Sequence, residues 1–327
     1  MFLPYNMKIH FTDEGRFMLE MKRLRLLWEL SARGTVAAVA EALNYSPSAV
    51  SQQLALLERE AGVPLLMKVG RTLELTAAAW ALVAETESLL AGLERAEAAL
   101  YRGHAEVGGT VRLSVFQTAL LALLPPTLRR LRNEHPRLRV EMVQHEPETA
   151  LHETWARGFD LVIAEQYPGH AAAHFTGLDR EPLITDTIKL ALPPLNVGDS
   201  RFDRAVHLSD AADLPWVMEP HGAASRHWAE QACRSAGFEP DVRYETADLQ
   251  AHVRLIESGN AVALLPGLVH VGASHSLRLT ELEDQPIRTI FTAARISSAG
   301  HPALLAVRQA LREEATALAQ EEDAAAS

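Results

Sequence analysis

Residues 40–54 read Ala40-Glu41-Ala42-Leu43-Asn44-Tyr45-Ser46-Pro47-Ser48-Ala49-Val50-Ser51-Gln52-Gln53-Leu54, and this stretch decides the architecture of the N-terminal part. Ser46 and Pro47 supply the N-cap and first-turn proline of a helix whose apolar residues Val50, Leu54 and Leu57 recur at i, i+4 and i+7. Upstream, Thr35 is a candidate N-cap for a helix carrying Val36, Val39, Ala40 and Leu43 on one face, and Asn44-Tyr45 makes the turn between the two. Before it, Leu24, Leu27, Trp28 and Leu30 keep helical spacing up to Gly34, a helix-stopping residue. Two short helices on a tight turn predict a helix-turn-helix. Away from its apolar stripe, the third helix carries Ser48, Ser51, Gln52 and Ala55. Hydroxyl and amide side chains suit base edges and phosphates in a major groove, and glutamine can bond adenine through two atoms; the same residues also suit a merely solvated face.

Beyond this helix, Gly62-Val63-Pro64-Leu65-Leu66 reads as a turn into a short strand, and 67–76 as a two-stranded wing with Gly70-Arg71 at its tip. Lys68 and Arg71 would approach the backbone or minor groove of DNA and supply salt-dependent phosphate contacts. Candidate DNA-binding residues are therefore Thr35, Pro47, Ser48, Ser51, Gln52, Lys68 and Arg71. From Ala77 to about Arg102 the apolar positions Leu82, Leu89, Leu93, Ala96 and Leu100 step by seven, four, three and four. That spacing predicts one long helix with a dimerisation seam, the alternative being a helix packed on its own domain. A dimer is favoured because two recognition helices about 34–36 Å apart read successive major grooves on one face of a duplex.

Gly108-Gly109 closes a linker, after which strand and helix signals alternate. Strands are expected at 111–115, 139–143 and 161–164, with helices at about 119–133, bent or restarted at Pro125-Pro126, and at 149–157. A second set starts near Ile188 and runs through 214–218, a helix at 225–235, 241–244, a helix at 249–258 and 261–265. Such alternation predicts a parallel sheet covered by helices. With crossings near Leu192-Pro193 and Leu265-Pro266, it describes two α/β lobes hinged about a cleft. The expected divisions are a polar extension at 1–20, a DNA-binding domain at 21–79, a linker helix at 80–108 and an effector domain at 109–315. Within the last, lobe I takes about 109–190 and 267–315 and lobe II about 191–266; a polar tail occupies 316–327. Met18 and Met21 leave a later start as an equal alternative for the extension.

The stretch 40–54, with Leu57-Glu58, Gly62-Val63-Pro64-Leu65-Leu66, Gly70-Arg71 and Leu75-Thr76, resembles the winged helix-turn-helix of LysR-type transcriptional regulators. Further matches are Gly158-Phe159-Asp160-Leu161, Ser235-Ala236-Gly237-Phe238-Glu239-Pro240 and Gly259-Asn260-Ala261-Val262-Ala263-Leu264-Leu265-Pro266. They resemble the family's effector domain, itself similar to periplasmic solute-binding proteins. The likeness covers nearly all of residues 21–315. Mild departures are Leu66 where the family usually has Phe, Met67-Lys68 where it has Glu-Arg, and Ala79 where Gly is frequent. It implies a cytoplasmic α/β regulator binding promoter DNA, with paired linker helices, dimers or tetramers, a small-molecule effector and recruitment of RNA polymerase. The competing class is a solute-binding or transport module without regulatory activity, disfavoured by the helix-turn-helix and by the lack of a signal-like segment in 1–20.

In an open α/β sheet a ligand lies beyond the carboxyl ends of the strands, at helix N-termini. The candidates there are Phe116, Gln117 and Thr118, then Glu165 and Gln166, Glu219 and His221, Thr246, and Pro266 at the hinge. Phe116 departs from the small hydroxyl residue usual in the family, and its ring either narrows the pocket or stacks on a ligand. If Glu165 and Glu219 both face the cleft unpaired, an amine-bearing effector is expected rather than a dicarboxylate, since a further anion would be repelled at close range. Each acid could equally cap a helix or pair with an arginine.

The 327 residues are 48% hydrophobic and 22% charged, enough for two or three domains with a sizeable core, and no apolar run reaches the about 18 residues that span a bilayer. The net charge of −11 argues, as a whole-chain figure, against nucleic-acid binding. Resolved by region it does not: 21–80 holds seven bases against five acids, and 81–327 carries −12. A weakly basic reader is joined to a strongly acidic sensor. The one cysteine, Cys233, falls inside a predicted helix and reads as core. His170 and His174 have the i, i+4 spacing of a metal pair, but no third ligand is near. No nucleophile-elbow, dinucleotide or phosphate-loop motif occurs, so neither catalysis nor any metal or cofactor is expected.

Overall fold

The structure is a computed structural model that describes residues 19–70, 72–103, 106–170 and 172–326, with side chains left out at 322, 323, 325 and 326. The chain divides into two units between Glu97 and Ala98. Residues 1–18 of the expected extension and Arg71 lie outside the described residues.

The first unit opens with α1 (Met21–Arg33), α2 (Val36–Ala42) and α3 (Pro47–Ala61). Gly34 ends α1 in the left-handed conformation, its N–H bonded to the Leu30 carbonyl. The hydroxyls of Thr35 and Ser46 accept from the N–H groups of Ala38 and Ala49, both at 3.1 Å, so two N-caps set the starts of α2 and α3. Between these helices Asn44 takes a positive φ of 55° and Tyr45 N–H returns to the Ala40 carbonyl. Leu24, Leu27, Trp28, Val39, Val50, Leu54 and Leu57 close the small core. Antiparallel β1 (Leu66–Val69) and β2 (Thr72–Leu75) form the wing. One Glu58 oxygen on α3 accepts from the N–H groups of Leu65 and Leu66 at 2.9 and 3.0 Å and ties the wing's first strand to α3. The long helix α4 (Ala77–Tyr101) follows.

The second unit contains β3 (Gly108–Val115), α5 (Gln117–Ala122), α6 (Leu124–Glu134), β4 (Arg137–Gln144), α7 (Pro147–Trp155), β5 (Leu161–Gln166) and β6 (Glu181–Leu192). Next come α8 (Ser200–Arg204), β7 (Pro215–Met218), α9 (Ala224–Ser235), β8 (Asp241–Glu245), α10 (Leu249–Glu257) and β9 (Ala263–Pro266). It ends with β10 (Arg278–Glu281), β11 (Ile287–Ala293) and α11 (Pro302–Ala326). The sheet runs β10-β6-β11-β5-β3-β4, with β9 also on β6. Within it only the β3–β4 and β3–β5 pairings are parallel; β11 runs antiparallel to both β5 and β6, and β9 and β10 run antiparallel to β6. The expected all-parallel sheet is therefore corrected to a mixed one.

The lobe division is sharpened in the same way. The first half of β6 pairs with β11 and the second half, from Ile188, with β9 and β10. One twelve-residue strand thus serves both lobes, and the crossing lies inside it rather than at Leu192-Pro193. β10, expected in lobe I, sits on the lobe II half. Parallel β7 and β8 complete lobe II, joined to the start of β9 through Trp216 and Val262. Lobe I packs Val111, Leu113, Val115, Leu123 and Ile163 against Leu304, Val307 and Leu311 of α11. That helix continues to Ala326, so the polar tail expected at 316–327 is helical over 316–326. In lobe II, Gly198 and Gly259 meet backbone to backbone: a Cβ on Gly259 would lie 2.7 Å from Gly198 Cα.

Candidate DNA interface and effector cleft

On α3, Pro47, Ser48, Ser51 and Gln52 are exposed while Val50, Leu54 and Leu57 are buried. The two faces follow from helical periodicity alone. Among the described residues neither Ser51 nor Gln52 has a hydrogen-bond partner within the chain, so both polar groups are free for an external one. Ser48 Oγ lies 3.0 Å from Ser46 Oγ, and Thr35 is exposed with its hydroxyl engaged in its cap. Lys68 is exposed on β1, opposite Leu73 in the wing. Arg23 bonds Gln53 at 3.1 Å and pairs with Glu60, which fixes α3 to α1 and holds the exposed face in place.

Along α4 the buried residues are Ala79, Val83, Thr86, Leu90 and Ala98. The seam of Leu82, Leu89, Leu93, Ala96 and Leu100 lies on an adjoining stripe that is half-buried at Leu82 and Leu93 and exposed at Leu89, Ala96 and Leu100, the last by 70%. Leu89 and Leu100 are thus two large apolar side chains of the expected seam that are left exposed.

The second unit brings together residues far apart in sequence. Gln117 begins α5 in lobe I, and its amide reaches α10 in lobe II: Nε2 donates to Asp248 Oδ1 at 2.7 Å, and Oε1 accepts from Leu249 N–H at 2.8 Å. Beside it, Thr118 is buried and its Oγ1 accepts from Arg288 Nη2 at 2.7 Å. Arg288, 1% exposed, also bonds Asp186 and Glu165 and lies 5.4 Å from the centre of the Phe116 ring. Phe116 is therefore corrected: buried in the lobe I core, it covers Arg288 instead of facing a ligand. Gln166 is exposed at the end of β5. Thr246 accepts from Asp248 N–H at 3.2 Å, and its carbonyl lies 2.8 Å from His252 Nε2.

Between the lobes a cavity of about 20 Å³ is lined by Tyr167, Ile188, Glu219, Ser225, Trp228 and Pro266, among others. It has room for about one water. An open chamber of about 230 Å³ lies alongside, lined by His170, His221, Arg226, His227 and Glu230 among others. Arg226 is buried and belongs to Glu230, 2.5 Å away, and to the Glu219 carbonyl at 3.1 Å. His170 faces His227 at 5.4 Å between ring centres, and the described residues 167–170 and 172–174 are not helical, as suits a loop.

Electrostatics separate the two acids. Burial pushes the Glu165 carboxyl up to about 7 against the pull of Arg288, with Glu146 and Asp186 adding repulsion. Burial likewise raises Glu219 to about 7, opposed by its hydrogen bond from Ser225 and assisted by Glu146 and Glu165. Only Ser225 touches the Glu219 carboxylate among the described residues, whereas Glu165 is paired with Arg288. The condition that both acids be unpaired is therefore not met: Glu165 is paired with Arg288, and only Glu219 of the two lacks a cation among the described residues. Cys233 is buried in lobe II, and burial pushes its thiol up to about 12, which makes it inert.

Sequence reasoning missed Arg288, Asp186 and Tyr167. The available signal was alternation: in Ile287-Arg288-Thr289-Ile290 the arginine falls on the same strand face as Ile290, which is buried. Nothing local links it to partners 102 and 123 positions away.

A family model described as "Bacterial regulatory helix-turn-helix protein, lysR family" matches residues 21–80, and one described as "LysR substrate binding domain" matches 104–316. The transcriptional dual regulator GltC of Bacillus subtilis is 29% identical over 76% of this chain and 81% of its own length. The malonate utilization transcriptional regulator of Klebsiella pneumoniae is 27% identical over 83% of this chain and 87% of its own. Among solved structures, full-length OxyR from Pseudomonas aeruginosa superposes with a TM-score of 0.63 at 16% identity, covering 90% of this chain and 95% of the other. CbnR, solved in complex with its target DNA, gives a TM-score of 0.50 at 19% identity over 90% of this chain and 100% of the other.

Proposed function

The chain belongs to the LysR family of transcriptional regulators, and we propose that it reads promoter DNA through the exposed face of α3 and responds to a small molecule taken up between its two lobes. The observation that carries the DNA reading is the exposed, unpartnered pair Ser51 and Gln52 on a helix whose other face is fully buried. Thr35, Pro47, Ser48, Lys68 and Arg71 position that helix by contacts to the phosphates. The relatives are transcriptional regulators, and a solute-binding module is not favoured. Paired α4 seams bring two readers onto one duplex, and the cytoplasm, where promoter DNA and RNA polymerase are found, is the compartment this requires. Among the described residues no helix is long and apolar enough to cross a membrane.

The effector in this reading carries a cationic nitrogen, received by Glu219 with Tyr167 and Pro266 beside it. Glu219 lines the cleft without a cation of its own, while Arg288 is saturated by Glu165 and Asp186. An incoming anion would meet Glu146, Glu165 and Glu219 together, and a cation would relieve them. Binding shifts the population of lobe arrangements and so the spacing of the two readers on DNA. A mobility-shift assay on the promoter region of the protein's own gene, with random duplex as control, tests the DNA reading; equal affinity for both duplexes would refute it. Calorimetry against matched amines and dicarboxylates tests the effector class, and tight binding of a dianion would overturn it.

A further inference from the structure

We propose that Gln117 is a latch that holds the cleft shut while no effector is bound, a reading that rests on the cleft being the effector site. Its geometry is specific. Both ends of one carboxamide in lobe I engage a single helix terminus in lobe II, 131 and 132 positions away, at 2.7 and 2.8 Å. A helix leaves its first N–H groups without partners, and at α10 the vacancies are filled in turn. Asp248 Oδ1 accepts from Gln250 N–H at 3.0 Å, Thr246 Oγ1 accepts from Asp248 N–H, and among the described residues Leu249 N–H is served by Gln117 alone. The terminus that would otherwise attract a polar ligand atom is thus completed from the opposite lobe.

Behind this tie the walls stand close. Tyr167 of lobe I and Trp228 of lobe II are 5.9 Å apart between ring centres, and the cavity they line with Glu219 is about 20 Å³, beside the open chamber of about 230 Å³. A molecule larger than water fits that cavity only if its walls part, and parting them moves α5 away from α10. The tie is reversible: Gln117 is half-buried and Asp248 exposed, so water or a ligand group can replace either bond. The Gln117 bond is also the largest influence holding the Asp248 carboxyl below its ordinary range. The carboxylate is therefore ionised, and a charged acceptor strengthens the latch.

Hydrogen exchange read by mass spectrometry on the full chain, without added ligand, tests this directly. In Gln117→Ala, exchange should rise by about fivefold or more both at 246–253 and on the cleft walls around Tyr167 and Trp228, leaving α1–α3 unchanged. A rise confined to 246–253 would make Gln117 a mere helix cap, and no rise would remove it altogether; either result overturns the latch. Gln117→Glu keeps the shape and the acceptor for Leu249 but sets a carboxylate against Asp248, and should open the cleft as alanine does. Adding Asp248→Asn to it restores a donor and should return exchange to the wild-type level; failure of that rescue also overturns the proposal. No effector enters these measurements, so they stand or fall separately from the amine titration.

Discussion

Arg288 and Asp186 are direct partners in the register of β11 on β6, and Nε and Nη2 of the arginine donate to one oxygen of the aspartate at 2.9 and 2.6 Å. The same carboxylate accepts from Leu268 N–H, just past the return crossing, and a Cβ at Gly267 would come within 2.7 Å of it. One buried pair thus joins the lobe I sheet, the base of the cleft and the hinge. Burial opposes the charge on Arg288, but Glu165, Tyr167 and Asp186 outweigh it and hold the guanidinium firmly protonated.

Replacing Arg288 by methionine strands Glu165 and Asp186 without a cation. Breaking a buried pair in this way costs about 3–5 kcal/mol. Chemical denaturation should register a loss of this order at pH 8 and a smaller one at pH 6, where Glu165 can take up a proton. Arg288→Lys should recover only part, because an ammonium lacks the fork that reaches Asp186, Glu165 and Thr118 together.

Glu219 and Glu165 make the effector domain pH-sensitive. Each folded-state pKa, about 7, lies above the ordinary carboxyl value of 4.5, so the folded form binds more protons between these limits. Their contribution is fully present below about 4.5 and lost as pH rises to about 7, after which it is flat. Thermal unfolding should show the midpoint falling across that window, and Glu219→Gln should flatten the profile. An amine seated on Glu219 displaces its proton, so calorimetry in buffers of different ionisation enthalpy should record proton release near pH 6.5 and none in the glutamine variant.

Gln52→Ala should relax base preference, weakening specific DNA more than random duplex by about 1–3 kcal/mol. Lys68→Ala and Arg71→Ala should weaken both equally and each lower the salt slope by about one. Fluorescence anisotropy on the two duplexes at several salt concentrations separates these behaviours; a uniform loss for Gln52→Ala would exclude base reading.

Leu89→Asp or Leu100→Asp places a charge on the exposed part of the α4 seam and leaves the buried residues Ala79, Val83, Thr86, Leu90 and Ala98 untouched. Sedimentation should show a monomer with an unchanged circular dichroism spectrum. Unaltered mass would indicate that α4 is not the pairing element.

The N-terminal unit was legible because its information is local. Ser46-Pro47, Thr35, Gly34 and the Val50/Leu54/Leu57 stripe act within a few residues of one another, through caps and a 3.6-residue period. Most strands and helices between 109 and 265 followed from the same kind of signal, whereas β10, β11 and α11 were not anticipated; acids such as Glu165 and Glu219 could be placed near strand ends. What the sequence could not determine was which charges meet. The pairing of Arg288 with Asp186, the burial of Phe116 over that arginine, the sharing of β6 between lobes and the reach of Gln117 to Asp248 all join residues roughly a hundred or more positions apart. Such contacts are chosen by strand register and by the cost of leaving a buried charge unpaired, and both exist only once the chain has folded.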